Sequence, residues 1–394
     1  MNGAISQISV LTAGRDRPYA LGLAAALAAA GAHFDFVGSN EVDSPELHTS
    51  PQIHYLNLRG DQSVDAGKLQ KVFRVLAYYF RLIGYAFTAK PKIFHILWNN
   101  KFELFDRTVL MLFYKLLGKK IVFTVHNVNV RARDGGDSWL NRTTLKFQYR
   151  RCDHIFLHTE KMKSELISGF GISENKASVI PFGINSTVPD TQLTTAEARQ
   201  WLHLREDEKV LLFFGNIAPY KGVEFLVDAF IEVARRGEKY RLIIAGRPKG
   251  SEDYWAGLLA KINASSVRDK IILKIEYVPD AETEIYFKAA DILILPYTHI
   301  FQSGVLFLGY NFGLPSIAAD VGSLKDEIGE GQTGFIFKPR DAVDLARVIE
   351  TYFTSDLYLN LKNRRQGIRD FANERYSWGK VARITTEVYA RLLK

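Results

Sequence analysis

Cysteine is almost missing from this chain. Cys152 is the single one among 394 residues, so no internal disulfide and no thiolate zinc site can form, and a reducing compartment is expected. Long hydrophobic runs are missing too: none approaches the roughly 20 apolar residues that a membrane-spanning helix needs. The opening MNGAISQISVLTAG has no basic stretch ahead of its apolar residues, so no signal peptide is expected and the cytoplasm is the expected location. The string G-x-x-x-x-G-K-[ST] does not occur, and no G-x-G-x-x-G joins an expected strand to a helix, which argues against P-loop and dinucleotide chemistry. H-E-x-x-H and Asp-x-Asp are absent as well, so neither a metal nor a cofactor is expected.

What is present reads as a soluble globular protein: 47% hydrophobic and 24% charged residues, in a chain long enough for two cores. The net charge of +8 is unevenly placed. Residues 1–189 hold 23 Lys and Arg against 15 Asp and Glu, and residues 190–394 hold 28 of each. The whole excess belongs to the first half. Between Lys68 and Lys120 there are 11 basic residues and two acidic ones, Glu103 and Asp106. Such a half would meet an anionic membrane surface, an anionic acceptor or nucleic acid.

Apolar runs alternate with helical patterns. Strands are expected at Ile5–Leu11, His33–Val37, Ile53–Leu58, Lys92–Leu97, Lys119–Val125, Asp153–His158 and Ala177–Ile180. Helices are expected at Tyr19–Ala30, Lys68–Thr88 and Thr108–Leu117, and from Lys161. After PFGINSTVPD (181–190), read as a linker, the alternation restarts with strands at Lys209–Phe214, Tyr240–Ala245, Ile271–Ile275, Ile292–Leu295, Ser316–Ala318 and Gly334–Phe337. Closing helices are expected at Asp341–Thr354 and Ser377–Leu393. The fold class is therefore α/β, two doubly wound Rossmann-like domains in series, covering 1–185 and 190–376.

The stretch LLFFGNIAPYKGVEFLVDAF, residues 211–230, carries the strongest chemical signal. A buried strand ends on Gly215, a short turn follows, and Lys221 stands at the start of a helix. Helix N–H groups and an ammonium together make an anion site, and a phosphate or diphosphate is the expected occupant. In parallel sheets ligands sit beyond the carboxyl ends of strands, which selects further candidates: Gly14 and Arg15, Trp98 and Asn99, His126 and Asn127, His158, Gly246 and Arg247, Pro279, and Thr298–Gly304. His126 is the best placed histidine, at a strand end before a polar loop, whereas His95 and His154 fall inside apolar strands. Ser303 and Gly304 can open a helix with free N–H groups. The segment Lys68–Thr88 puts Val72, Val75, Leu76, Tyr79, Phe80 and Ile83 on one stripe flanked by Lys71, Arg74 and Arg81. It is either an ordinary helix packed on a sheet or an interfacial helix for anionic lipid.

YKGVEFLVDAF, LIIAGR, YFKAADILILPY and SGVLFLGYNFGLPSIAADVGSL, in this order and spacing, resemble the family-4 glycosyltransferases, with TVHN a looser likeness in the first half. The resemblance implies a GT-B fold with two Rossmann-like domains facing a central cleft, and a last helix (about 377–394) returning to the first domain. It also implies a nucleotide-sugar donor, UDP- or GDP-linked, no essential metal, and retention of configuration. By position, Lys221 would bind the donor diphosphate and Ser303, Gly304 and Val305 would add contacts. His126 would stand beside the transferred sugar, Val278 and Pro279 beside the base, and Gly14 under the diphosphate; Gly215, Asn216, Arg247 and Gln302 complete the donor set. Three positions depart from the family pattern. Asn216 replaces an arginine, and Ile300 and Leu308 replace a pair of glutamates, for which Gln302 or Tyr310 are candidate substitutes.

The expectation is a cytoplasmic hexosyltransferase, with His126 and Lys221 as its catalytic pair. It would act on a hydroxyl of a lipid-linked or glycan acceptor in polysaccharide or envelope biosynthesis, at the cytosolic face of the plasma membrane. The basic residues 68–120 would give a peripheral membrane contact, and nucleic acid is not an expected partner. A sugar-nucleotide epimerase on the same architecture and a degenerate nucleotide-sugar-binding protein are the alternatives.

Overall fold

The computed structural model describes residues 7–63, 66–133, 136–184, 188–248 and 250–394. The chain packs as two compact units, Met1–Gly183 with Tyr376–Lys394, and Ile184–Arg375.

Unit 1 is built on seven strands: β1 (Ile8–Leu11), β2 (Phe34–Val37), β3 (Ile53–Leu56), β4 (Ile93–Ile96), β5 (Lys120–Thr124), β6 (His154–Leu157) and β7 (Ala177–Val179). They lie in the order β3-β2-β1-β4-β5-β6-β7, and every pairing is parallel. A parallel sheet is covered on both faces, which is why β1, β2, β4 and β6 are buried at every residue. The helix Arg17–Ala29 packs Leu23, Ala24 and Leu27 into one core with Val381, Ala382 and Tyr389 of the helix Trp378–Leu393. Trp378 lies so close that a Cβ on Gly22 or Gly183 would come within 2.2 or 2.3 Å of its ring. His95 of β4 is buried between Tyr389 Oη at Nδ1 (2.5 Å) and Thr124 Oγ1 at Nε2 (2.7 Å). Burial, reinforced by His154, pushes its pKa down to about 3. His154 is likewise held, between Ser178 Oγ and Arg391. Both are neutral core groups.

Unit 2 repeats the plan with β8 (Lys209–Phe214), β9 (Tyr240–Ala245), β10 (Ile271–Lys274), β11 (Ile292–Leu295), β12 (Ser316–Ala319) and β13 (Gly334–Phe337). Their order is β10-β9-β8-β11-β12-β13, again parallel throughout. Asp291, just before β11, anchors this core. Its carboxylate takes two bonds from Arg199 Nη2 (2.9 and 2.8 Å) and one from the Val210 N–H (2.8 Å). Arg199 spends its other donors on Ala289 O and Glu206 O.

The strands are one to three residues shorter at their ends than their apolar runs, and Ile5 lies outside the described residues. The expected helix Thr108–Leu117 is longer, running from Glu103 to Leu116 through a π turn at Asp106–Leu110. Two helices had no legible pattern. Trp139–Arg151 buries Asn141, Thr144 and Gln148 beside Leu145 and Tyr149, so polar residues occupy the face that periodicity would mark as apolar. Leu361–Tyr376 buries only Leu361, Ile368 and Ala372. The spacing G-x-G-x-x-G does occur, at Gly329–Gly334, but it leads into β13 instead of leaving a strand for a helix.

The Arg199–Asp291 pair yields a test. Truncating one partner of a buried ion pair costs about 3–5 kcal/mol, because the other charge stays buried and unpaired. Arg199→Ala should therefore lower the urea midpoint of unit 2 by that amount, and a loss under 1 kcal/mol would show the pair to be dispensable.

Candidate active site

In unit 2 the sheet order reverses between β8 and β11, and the loops after these two strands lie side by side: Thr298 N–H donates to Tyr220 O (2.9 Å). Gly222, with φ 61°, fixes this meeting. A Cβ there would stand 2.0 Å from Pro296 O, so the β8 turn can close on β11 only through glycine. Lys221 is thereby drawn inward to 7% exposure, with Nζ 3.9 Å from the centroid of the Tyr297 ring. Tyr297 Oη is 3.2 Å from Ser303 Oγ, and Ser303 is the N-cap of the helix Gly304–Asn311 without bonding its backbone. Gly215 closes the group, its α-carbon facing Val305. The fold thus brings Gly215, Lys221, Ser303, Gly304 and Val305 together, an ammonium beside the N-terminus of a helix, which is suited to an anion. Along the same strand ends, Arg247 is exposed and lies 5.5 Å from the Tyr277 ring, next to buried Val278. Pro279 is the N-cap of the helix Asp280–Ala289. Asn216 is exposed in the turn.

The loop holding Gln302 is pinned from the β12 side, since Phe301 O accepts from Ser323 N (3.0 Å) and Ser323 Oγ (2.6 Å). Gln302 Nε2 donates to Glu327 Oε1 (2.7 Å), and Ser323 Oγ lies 2.8 Å from the same oxygen. Burial pushes the Glu327 pKa up to about 8, the bonds from Ser323 and Gln302 opposing that rise. The hydrogen bonding asks for the same state: Ser323 has one proton, which serves Phe301 O, so a protonated Glu327 supplies the other. With its amide nitrogen committed, Gln302 keeps its amide oxygen, shielded and unbonded among the described residues, as an acceptor. Tyr310 is tied elsewhere, donating to Glu327 O (2.7 Å). Leu308 is buried inside its helix. Glu327 carries no motif signal of its own; only its apolar setting after β12 makes it chemically special.

In unit 1 the order reverses between β1 and β4. The loop after β1 holds Ala13, Gly14 and Asp16 at φ 52°, 66° and 46°, left-handed values that side-chain-bearing residues seldom adopt. Gly14 N–H is bonded to Thr12 Oγ1 (3.1 Å) and Gly14 O to Gln62 Nε2 (2.8 Å). His126, after β5, stacks flat on Trp98 (4.4 Å, 1°) with Tyr19 edge-on at 4.7 Å. The tautomers follow from one chain of bonds. His158 Nδ1 donates to Ile180 O (3.3 Å), so His158 Nε2 accepts from His126 Nδ1 (3.1 Å), and His126 Nε2 is left as an acceptor with no partner. Burial, with His158 and His95 adding to it, holds the His126 pKa well below the usual histidine value; burial lowers that of His158 to about 4. His126 is therefore a neutral acceptor and not an acid at pH 7. It lines a cavity of about 270 Å³ with Trp98, Asn99 and Asn127.

The helix Lys68–Thr88 has the expected bounds but not the expected packing. It buries Tyr78, Tyr79, Leu82 and Ala86, with Tyr78 Oη bonded to Asn100 and Tyr79 Oη to Asp106. Of the anticipated stripe only Tyr79 is buried. Val72, Leu76 and Phe80 are exposed, as are Leu69, Phe73 and Phe87, with Phe73 at 73% and Phe80 at 76%. No helix among the described residues is long and apolar enough to cross a membrane.

Residues 18–188 match the profile of Glycosyltransferase Family 4, and residues 208–355 that of Glycosyl transferases group 1. An uncharacterized glycosyltransferase of Methanocaldococcus jannaschii is 27% identical over 248 residues, 61% of this chain and 60% of the relative. The D-inositol 3-phosphate glycosyltransferase of Kineococcus radiotolerans is 27% identical over 256 residues, 61% of this chain and 58% of that protein. The chain thus matches about three fifths of the length of these curated relatives. Among solved structures, sucrose-phosphate synthase from Thermosynechococcus elongatus shares the fold at TM-score 0.77 and 18% identity, covering 98% of this chain and 99% of that one. Anabaena HepE in complex with UDP-glucose does so at TM-score 0.73 and 15% identity, with coverage of 98% and 99%. With the two profiles spanning most of its length and the two parallel sheets each reversing at its centre, the chain belongs to the family-4 glycosyltransferases of GT-B fold.

Proposed function

We propose that this protein moves a hexose from a UDP- or GDP-linked donor to a hydroxyl of a lipid-linked or glycan acceptor, without a metal and with retention of configuration. The observation that carries the reading is Lys221, drawn inward over Tyr297 beside the N-terminus of the helix Gly304–Asn311. A diphosphate leaving group gains negative charge as the glycosidic bond breaks, and a fixed ammonium and helix N–H groups stabilise that charge in the transition state. Arg247 adds a second cation in the same unit. His126 accepts a hydroxyl hydrogen bond of the sugar through Nε2, and Gln302 accepts another through its amide oxygen, in place of the family's glutamates. The nucleotide assignment is supported by a relative of the same fold, HepE, seen in complex with UDP-glucose.

The exposed apolar face of the helix Lys68–Thr88 supports a peripheral membrane contact at the cytosolic face. Phe73, Leu76 and Phe80 would enter the acyl boundary, while Lys68, Lys71 and Arg81 stay with anionic headgroups. A lipid-linked acceptor would be met there.

Three experiments test these readings. UDP or GDP at about 100 times its dissociation constant should stabilise the protein by about 2.7 kcal/mol, and Lys221→Ala should abolish the shift; if neither nucleotide moves the unfolding temperature, the donor assignment fails. For Glu327 the folded pKa lies above the unfolded one, so its contribution is complete below the unfolded value and is lost as pH rises through about 8. Stability should decline between pH 5 and 8 in the wild type and less steeply in Glu327→Gln, at about 2–4 °C per kcal/mol in a unit of this size; parallel profiles would show an ionised Glu327. Finally, vesicles containing phosphatidylglycerol should retain the wild type at least about tenfold better than Phe73→Ser/Phe80→Ser, since each buried phenyl is worth roughly 1.5–3 kcal/mol. Equal retention would remove the membrane contact.

A further inference from the structure

Unit 1 contains a second cavity that the donor chemistry does not use. It encloses about 330 Å³ and is lined by Arg15, Arg59, Lys71, Arg74 and Lys101 against one carboxylate, Asp61. Its walls come from the ends of β1 and β4, from the segment after β3, and from the helix Lys68–Thr88. It therefore lies where the sheet order reverses, the place at which this class of sheet binds ligands.

The charge of this cavity is not balanced from within. Asp61 is engaged by Arg74 (2.8 Å), which leaves the cations of Arg15, Arg59, Lys71 and Lys101 without a lining carboxylate of their own. Arg59 is held in place, with Nε on Gln62 Oε1 (3.3 Å) and its guanidinium 4.7 Å from the Tyr78 ring. The Nη1 atoms of Arg59 and Arg74 are shielded from water and make no hydrogen bond among the described residues. Shielded guanidinium donors left unused cost free energy, which an anion with several acceptor oxygens would recover. Guanidinium groups fixed in position suit phosphate oxygens, since each presents a planar fork of donors.

The helix joins this cavity to the exposed apolar face. Lys71, Arg74 and Val75 point to the cavity lining, while Val72, Phe73 and Leu76, interleaved with them in sequence, are exposed. One helix thus offers apolar residues on one side and cations on the other. We propose that this cavity is the binding site for a phosphate or diphosphate group on the acceptor, separate from the diphosphate site of the donor. The anion chemistry stands on the cavity alone; the word acceptor rests on the glycosyl-transfer reading. The same phosphate chemistry could come from a polyprenyl diphosphate in a membrane or from a soluble sugar phosphate.

Isothermal titration with inorganic pyrophosphate separates the two anion sites. The wild type should bind it at two sites, Arg59→Ala/Arg74→Ala should lose one of them with at least a tenfold fall in affinity, and UDP affinity in that variant should be unchanged. Lys221→Ala should show the opposite pattern, losing UDP and keeping the cavity site. Arg59→Lys/Arg74→Lys, which keeps the charge, should recover part of the binding and guards against a folding defect in the alanine variant. A UDP failure with pyrophosphate binding intact at the cavity would sink the donor assignment and leave this site standing. Pyrophosphate binding unaffected by the arginine substitutions would overturn it. Glucose 1-phosphate in solution and phosphatidylcholine vesicles carrying a polyprenyl diphosphate then identify the source. Binding of either probe that is lost in the double variant supports the site and names its ligand, and loss of neither overturns it.

Discussion

The all-parallel sheet is the constraint on which the rest depends. Parallel strands need crossovers, and a sheet buried on both faces needs helices on both sides. Where the strand order turns back on itself, the two neighbouring connections leave in opposite directions and a crevice opens at the strand ends. In unit 2 this happens between β8 and β11, in unit 1 between β1 and β4. Lys221, Tyr297 and Ser303 stand at the first of these places, and the cavity with Arg15 and Lys101 at the second. The interior strands contribute only the platform. Chemistry is confined to the residues immediately after each strand, and so a substitution at Gly222 changes the site while one at Leu212 changes the core.

Desolvation then decides which of these groups carry charge. His126 and His158 share a hydrogen-bond chain ending on Ile180 O, and burial keeps both neutral. Glu327, enclosed beneath the Gln302 loop, is held protonated toward pH 8 by the same effect. The result is a set of neutral hydrogen-bonding groups in fixed orientation, with the positive charge left to Lys221 and Arg247. That division suits a reaction in which negative charge develops on a diphosphate, because neutral acceptors can orient sugar hydroxyls without opposing it.

The fold was legible because both sheets are apolar at successive residues. Runs such as Val210–Phe214 and Ile292–Leu295 admit few readings once flanked by glycine and helical periodicity. The helices Trp139–Arg151 and Leu361–Tyr376 escaped for the opposite reason. The first buries amides and hydroxyls, and the second buries three apolar residues across sixteen positions. Arg365 illustrates the second case, a cation inside the fold that donates to Ala290 O and Phe312 O. In the candidate site, Lys221 and His126 could be found from strand ends alone. Glu327 could not, since a glutamate on a short helical turn acquires its character only from the tertiary burial around it. The helix Lys68–Thr88 shows the limit of periodicity in another way. It reveals that a helix has an apolar face, but not that its packed face is Tyr78, Tyr79, Leu82 and Ala86 while Phe73 and Phe80 face outward.

The departures from the family pattern are better understood together than singly. The resemblance implies an arginine, a lysine and two glutamates around the donor, a set with no net charge. Here Asn216 takes the arginine position, and Ile300 and Leu308 take those of the glutamates. Loss of the arginine alone would leave two carboxylates near a diphosphate with one lysine to offset them. Loss of all three leaves Lys221 with a net positive charge, so the anion site survives the change. The remaining need is a hydroxyl acceptor that brings no charge, and an amide supplies it. Gln302 has that property, and its orientation is fixed by a carboxylic acid that burial keeps neutral. Random decay would remove such residues one at a time, without regard to sign. A coordinated exchange of one cation and two anions for neutral groups is what continued donor binding requires.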